Sequence, residues 1–321
     1  MLNPKLYSKD IEQIPTRNGY GEALVSLGEK NPNVVVLCGD LTESTRSLAF
    51  AKKFPARFIE VGVAEQNMMG VAAGLAMEGK IPFVSSYAVF SPGRNWDQLR
   101  VNVCYNKAKV KIAGAHTGIS VGPDGATHQA LEDIAITRVL PGLVVLAPCD
   151  VHETQKATLA AAEYDGPVYL RFAREKTPVI TTLDSPFEIG RAYVMREGKD
   201  VTIVACGPLL YEALVAAEQL KGKVSVEVIN CPTIKPLDRA TIVASARKIG
   251  AVVTVEEHQI TGGLGGAICE VLAEAYPVPV VRVGMPDSFG ESGAPDELLT
   301  KYGMKAKNIM SAARKAVSNK R

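Results

Sequence analysis

The sequence has almost no excess of charge of either sign. Thirty-six Lys and Arg face 34 Asp and Glu, a formal net charge of +2. Such a balance gives no case for nucleic acid or a membrane surface as a partner. Long apolar runs are missing, with nothing near the ~18 residues of a spanning helix. The start, MLNPKLYSKDIEQ, lacks the apolar centre of a signal peptide, so a cytoplasmic protein is expected. Six cysteines stand at 38, 104, 149, 206, 231 and 269, without a CxxC pair. Buried, reduced thiols are expected, and no metal site on this chain. GxxxxGK(S/T) and HExxH are absent. GGLGGA (262–267) is not GxGxxG and is weak support for a nucleotide.

Short β-branched runs are plentiful. VVVLCGD (34–40), IPFVSSY (81–87), KVKIAGA (109–115), LVVLAPCD (143–150) and PVYLRFA (167–173) read as buried parallel strands. Segments 17–30, 65–78, 129–138 and 151–163 read as the helices between them. This alternation predicts a doubly wound α/β domain. Residues 175–200, rich in proline, threonine and charge, break the rhythm and read as a linker. VTIVACG (201–207), VSVEVIN (224–230), AVVTVEEH (251–258) and VPVVRVG (278–284) then resume it as a smaller α/β domain. The expected division is 1–185 and 186–321, within the usual domain size of ~100–200 residues.

Polar residues gather where these strands end, the place at which open α/β sheets bind ligands. Asp40, Thr42, Ser44 and Arg46 follow the first strand. Tyr87, Phe90, Arg94 and Asp97 follow the second. His116, Asp124 and His128 follow the third, so two of the four histidines share one glycine-rich loop. Arg174 follows the fifth. Each has a plain reading as a turn residue, packing ring or surface charge. Those separate readings leave the clustering unexplained. One acid, Glu65, heads the apolar stretch VGVAEQNMMGVAAGLAMEG (61–79). As a helix-end acid it would answer the macrodipole and free N–H groups. As a carboxyl in a dry pocket it would share a proton with a ligand.

VAEQNMMGVAAGLA, PFVSSYAVFSPGRNWDQLR and GAHTGISVGPDGATHQALEDIAITRVLPGLVVLAPCD together resemble the thiamine-diphosphate-dependent transketolase family. The resemblance runs from PTRNGYGEAL (15–24) through NCPTIKPLDRATIV to TVEEHQITGGLGGAI. It covers the pyrimidine-binding and C-terminal domains of a full-length member. The GDG motif of the pyrophosphate-binding domain has no counterpart; GDL at 39–41 lacks the last glycine. The resemblance therefore implies one subunit of a split transketolase, cytoplasmic, working in an α2β2 heterotetramer with an N-terminal, pyrophosphate-binding subunit. That partner would hold the diphosphate and its Mg2+ or Ca2+. This chain would contribute a homodimer contact, including helix 65–78, and the C-terminal domain would serve assembly.

In the family the glutamate matching Glu65 hydrogen-bonds the aminopyrimidine ring of thiamine diphosphate. It favours the imino tautomer that deprotonates the thiazolium carbon. Phe90 matches the ring that stacks on the pyrimidine, with Tyr87 beside it. His116, Asp124 and His128 match the set that binds sugar hydroxyls or phosphate. Arg17, Ser44 and Arg174 match the sugar-phosphate anchors. The implied reaction is two-carbon ketol transfer between ketose and aldose phosphates of the pentose phosphate pathway, such as xylulose 5-phosphate and ribose 5-phosphate. The loop YAVFSPGRNWDQ is one residue longer than the family pattern, which leaves Arg94 without an assigned role. The rival readings are the β subunit of a 2-oxo acid dehydrogenase E1, a 1-deoxyxylulose 5-phosphate synthase and a non-catalytic homologue. HTGISVGPDGATHQ with Arg174 speaks against the first, the histidine at 116 against the second, and the retained Glu65 against the third.

Overall fold

The computed structural model describes residues 2–320. Its strands, in chain order, are β1 (Gln13–Pro15), β2 (Val34–Cys38), β3 (Phe58–Glu60), β4 (Ile81–Tyr87), β5 (Lys111–Ala115), β6 (Val144–Leu146) and β7 (Val168–Phe172). Then come β8 (Lys176–Pro178), β9 (Tyr193–Arg196), β10 (Val201–Ala205), β11 (Val226–Asn230), β12 (Thr233–Lys235), β13 (Val252–Gln259) and β14 (Val280–Met285). Two large sheets result. The first has the order β12-β6-β7-β5-β4-β2-β3 and the second β14-β13-β10-β11-β9. The α/β expectation holds, with parallel pairing throughout both sheets except at one edge of each.

Strands buried on both faces explain the sequence pattern. In β2, Val34 and Val36 join a core with Tyr20, Leu24, Phe83 and Phe172, while Val35 and Leu37 face Met68, Met69 and Ala72. Each such side chain stabilises by roughly 1.5–3 kcal/mol when fully buried. The second of these cores continues to Val204, Ile229 and Leu264 of the second half, so the two sheets share packing. Helices Thr16–Lys30 and Val151–Glu163 cover the other face together. They meet closely at Gly19, where a Cβ would lie 2.1 Å from the Val151 carbonyl oxygen.

Three details depart from the sequence reading. The stretch read as a linker forms β8, antiparallel to β1, and β9, the antiparallel edge of the second sheet. Strand β12 leaves the second half and pairs antiparallel with β6, closing the first sheet. The helix expected over 129–138 begins only at Asp133. Before it, the Gln129 side chain donates to the carbonyls of Ile119 (3.2 Å), Gly122 (3.4 Å) and Glu291 (2.9 Å).

Candidate active site

Strands β7, β5, β4 and β2 are neighbours, so the loops at their carboxyl ends lie side by side. Those loops carry Arg174, His116, Tyr87 with Phe90, and Ser44. Helix Thr16–Lys30 brings Arg17 to the same edge, and helix Glu65–Met77 brings Glu65. Non-glycine residues with left-handed backbone occur here at Asp40 (φ 59°), Arg46 (φ 65°) and His116 (φ 57°). Strain of this kind persists where surrounding structure over-determines it, and it concentrates at ligand sites.

Glu65 is 1% exposed. Its helix buries Met68, Met69, Ala72 and Ala73, and the preceding Ala64 provides no side-chain cap. Arg94 Nη1 donates to Glu65 Oε2 at 2.7 Å, and Asn95 Nδ2 donates to the Glu65 carbonyl at 3.0 Å. The Arg94 guanidinium also lies 4.6 Å from the centre of the Phe90 ring. Arg94 thus has a place at this acid that the sequence left open. Its side chain is 47% exposed, so water reaches the cation while the acid stays dry.

The rings form one cluster. Tyr87 stacks on His116 with centroids 3.9 Å apart and lies 6.0 Å from Phe90. His128 meets Phe90 edge-on at 5.5 Å, and its Nδ1 is 2.9 Å from Thr127 Oγ1. Burial pushes the His116 imidazolium down to about 3, helped by the charges of Arg17, Arg174, His128 and Arg46. His116 is therefore neutral at physiological pH and suits a hydroxyl or carbonyl better than a phosphate.

Arg17 Nη1 donates to the Ser44 carbonyl at 2.9 Å. Burial, with Arg46 and Arg174 nearby, lowers the Arg17 pKa from its usual value. Arg174 Nη1 donates to the Val121 carbonyl at 2.9 Å and reaches Asp124 Oδ2 at 3.3 Å. Two buried nitrogens, Arg17 Nε and His116 Nδ1, have no hydrogen-bond partner among the described residues. Buried polar atoms are ordinarily satisfied, so these two point to a ligand. The structure thus brings all nine candidates, Arg17, Ser44, Glu65, Tyr87, Phe90, His116, Asp124, His128 and Arg174, to one edge of the sheet. Asn95, on the Glu65 carbonyl, was not foreseen. Its only sequence signal is its position beside Arg94.

A parallel α/β sheet with a buried acid, stacked rings and convergent arginines at its carboxyl edge could hold a planar group and an anion. Residues 12–179 match the family profile "Transketolase, pyrimidine binding domain", and residues 190–309 match "Transketolase, C-terminal domain". The chain belongs to the transketolase family. It is 48% identical over 297 residues to a transketolase C-terminal section of Methanocaldococcus jannaschii, covering 91% of this chain and 93% of that one. It is 42% identical to the 6-deoxy-6-sulfo-D-fructose transketolase subunit SqwH of Clostridium sp. (strain MSTE9), covering 97% of each. A solved split gene transketolase, described as an inactive beta4 tetramer, superposes with a TM-score of 0.90 at 50% identity, covering 96% of this chain and all of that one.

Proposed function

We propose that this chain is the pyrimidine-binding subunit of a split transketolase. The reaction is reversible transfer of a two-carbon ketol unit between ketose and aldose phosphates. The observation that carries it is the dry Glu65 carboxyl beside Phe90 and Tyr87, with an arginine- and histidine-lined loop on the adjoining strands. The buried acid and flat ring faces fit the pyrimidine of thiamine diphosphate. When bound, that cofactor supplies a nucleophilic carbon and an electron sink for the carbon–carbon bond.

This chain's residues do the rest. Glu65 holds a proton at the pyrimidine nitrogen. Arg94 pairs with the acid at Oε2. Phe90 and Tyr87 flank the ring and exclude water. Neutral His116, together with His128, hydrogen-bonds sugar hydroxyls, and Asp124 accepts from another. Arg17 and Arg174, with Ser44, hold the phosphate as bidentate and charge-assisted donors.

The diphosphate and its Mg2+ or Ca2+ belong to a partner subunit in an α2β2 complex. Relatives described as a section, a subunit and a split gene product support this division. Helix Glu65–Met77 leaves Val71 (36%) and Met77 (70%) exposed, and the helical segment Leu99–Tyr105 packed against it leaves Val101 (39%) and Tyr105 (84%) exposed. Gly70 and Gly74 keep that face flat. A second copy of the chain would cover it, placing two Glu65 pockets in one assembly. Among the described residues no helix is long and apolar enough to cross a membrane.

The test combines chain and partner with thiamine diphosphate, Mg2+, xylulose 5-phosphate and ribose 5-phosphate. Sedoheptulose 7-phosphate should form, as read by mass spectrometry, and not with either chain alone. Absence of product from a complex that binds the cofactor sinks the sugar-phosphate reading.

A further inference from the structure

The second sheet delivers an acid to the substrate loop. Strand β13 is buried from Val252 to His258 and carries Glu256 and Glu257 within that run. A buried carboxylate is costly without partners. Glu256 finds its partners locally, accepting from the N–H groups of Leu264 (2.7 Å) and Gly265 (2.8 Å). Glu257 reaches out of its own sheet instead. Its Oε1 accepts from the Ser120 N–H at 2.6 Å.

Ser120 lies between His116 and Asp124. That loop needs an external hold, because Gly118, Gly122 and Gly125 all adopt positive φ (84°, 80° and 73°). Glycines in such positions leave a segment with much conformational entropy to lose. Glu257 fixes it twice, by the hydrogen bond to Ser120 and by packing on Gly118, where a Cβ would lie 2.3 Å from Oε1.

Glu257 is itself held from behind. Arg171 Nη2 donates to its carbonyl at 2.6 Å, and Arg171 Nε donates to Asp133 Oδ2 at 2.8 Å. Asp133 Oδ2 also accepts from Tyr169 OH at 2.8 Å. The chain of contacts therefore runs from β7 through Arg171 to β13, then back to the loop after β5. The far end of the loop is anchored in the same manner, through Gln129 to the Glu291 carbonyl.

We propose that Glu257 is a positioning residue for substrate, setting the stance of His116 and Asp124 through Ser120 and Gly118 without touching the sugar. The inference rests on reading the loop as the sugar-phosphate site. It gives the C-terminal half a part in recognition beyond assembly.

The test uses the complex with its partner subunit and cofactor. Glu257→Ala removes the acceptor, Glu257→Gln keeps a carbonyl oxygen for Ser120, and Ser120→Pro removes the donor from the loop side. Glu227→Gln, at a buried acid held by Ser245 and Lys248, serves as a stability control. Glu257→Ala and Ser120→Pro should raise KM for sugar phosphates about tenfold or more, the scale of a misplaced binding group. kcat and cofactor affinity should stay within about threefold, a split that marks lost substrate binding. Glu257→Gln should restore KM, and Glu227→Gln should leave it unchanged.

Hydrogen exchange gives an independent reading. Peptide 116–129 should exchange faster in Glu257→Ala and not in Glu227→Gln. Equal loss of kcat, KM and cofactor affinity in Glu257→Ala would overturn the positioning role in favour of a structural one. Unchanged exchange in the loop overturns the anchoring on its own. A wild-type complex that turns over no sugar phosphate overturns the functional reading on its own, whatever the exchange shows.

Discussion

The acid pocket and the histidine loop lie side by side, yet different halves of the molecule hold them. Glu65 takes its partners, Arg94 and Asn95, from the loop after β4, within the first sheet. The loop after β5 leans on the second half: Ser120 on Glu257, Gln129 on Glu291, Gly125 against Ser292 and Gly122 against Pro295. One region is self-contained and the other is assembled across a boundary. The cofactor side and the substrate side of the site should therefore respond separately to mutation, with contrasts that differ in size.

The largest expected effect is at Glu65. Glu65→Ala should lower turnover of the complex by about 10²–10⁴-fold, the usual contribution of a positioned proton-transfer group. Circular dichroism and the melting profile should stay native. Near-wild-type activity would break the assignment of the acid pocket. Arg174→Ala tests the other region. It removes a charge-assisted contact of about 1.5–3 kcal/mol, so KM for sugar phosphates should rise roughly 10–100-fold. Cofactor affinity, by titration calorimetry, should not move. An unchanged KM removes Arg174 from the phosphate site.

Arg94→Ala sharpens the comparison without cofactor or partner. It leaves the buried Glu65 carboxylate without that donor, at a cost of about 1–3 kcal/mol. Urea denaturation should show the loss, and a Glu65→Gln background should shrink it. Equal losses in both backgrounds would mean that the two side chains are not coupled.

The smallest effect concerns pH. Burial holds the folded His116 at about 3, against an ordinary value of 6.5. The unfolded chain takes up the proton first as pH falls. The stability tied to neutral His116 is therefore complete above about 6.5 and is lost as pH falls from there towards 3. His116→Asn should flatten stability between pH 7 and 5, as measured by urea midpoints. Parallel slopes for variant and wild type would show that His116 is not held neutral.

How much of this was legible follows from the chemistry of each element. Strands β2, β4, β5, β7, β10 and β11 are buried on both faces, so their β-branched runs read clearly. Strands β8, β9 and β12 are short, antiparallel and set among prolines and charges, where turn signals drown the strand signal. In the site, residues just past a readable strand could be found, as with His116 and Arg174. Arg94 was visible but its partner was not, because a fold rather than a spacing brings it to Glu65. Glu257 was hidden for the opposite reason: it sits inside a strand pattern, and its partner is 137 positions away.

Strand β12 carries a consequence for cleavage. Thr233 and Lys235 pair with Leu146 and Val145, and the Ala147 N–H donates to the Pro232 carbonyl at 2.8 Å. The exposed turn at Leu183 and Asp184 is a natural place for a protease to cut. A cut there would not free the halves, because the downstream fragment still clasps the edge of the upstream sheet and shares its core. The nicked protein should migrate as one particle in a native gel and as two bands in denaturant. The upstream fragment produced alone would carry β6 as an open, apolar edge and should self-associate.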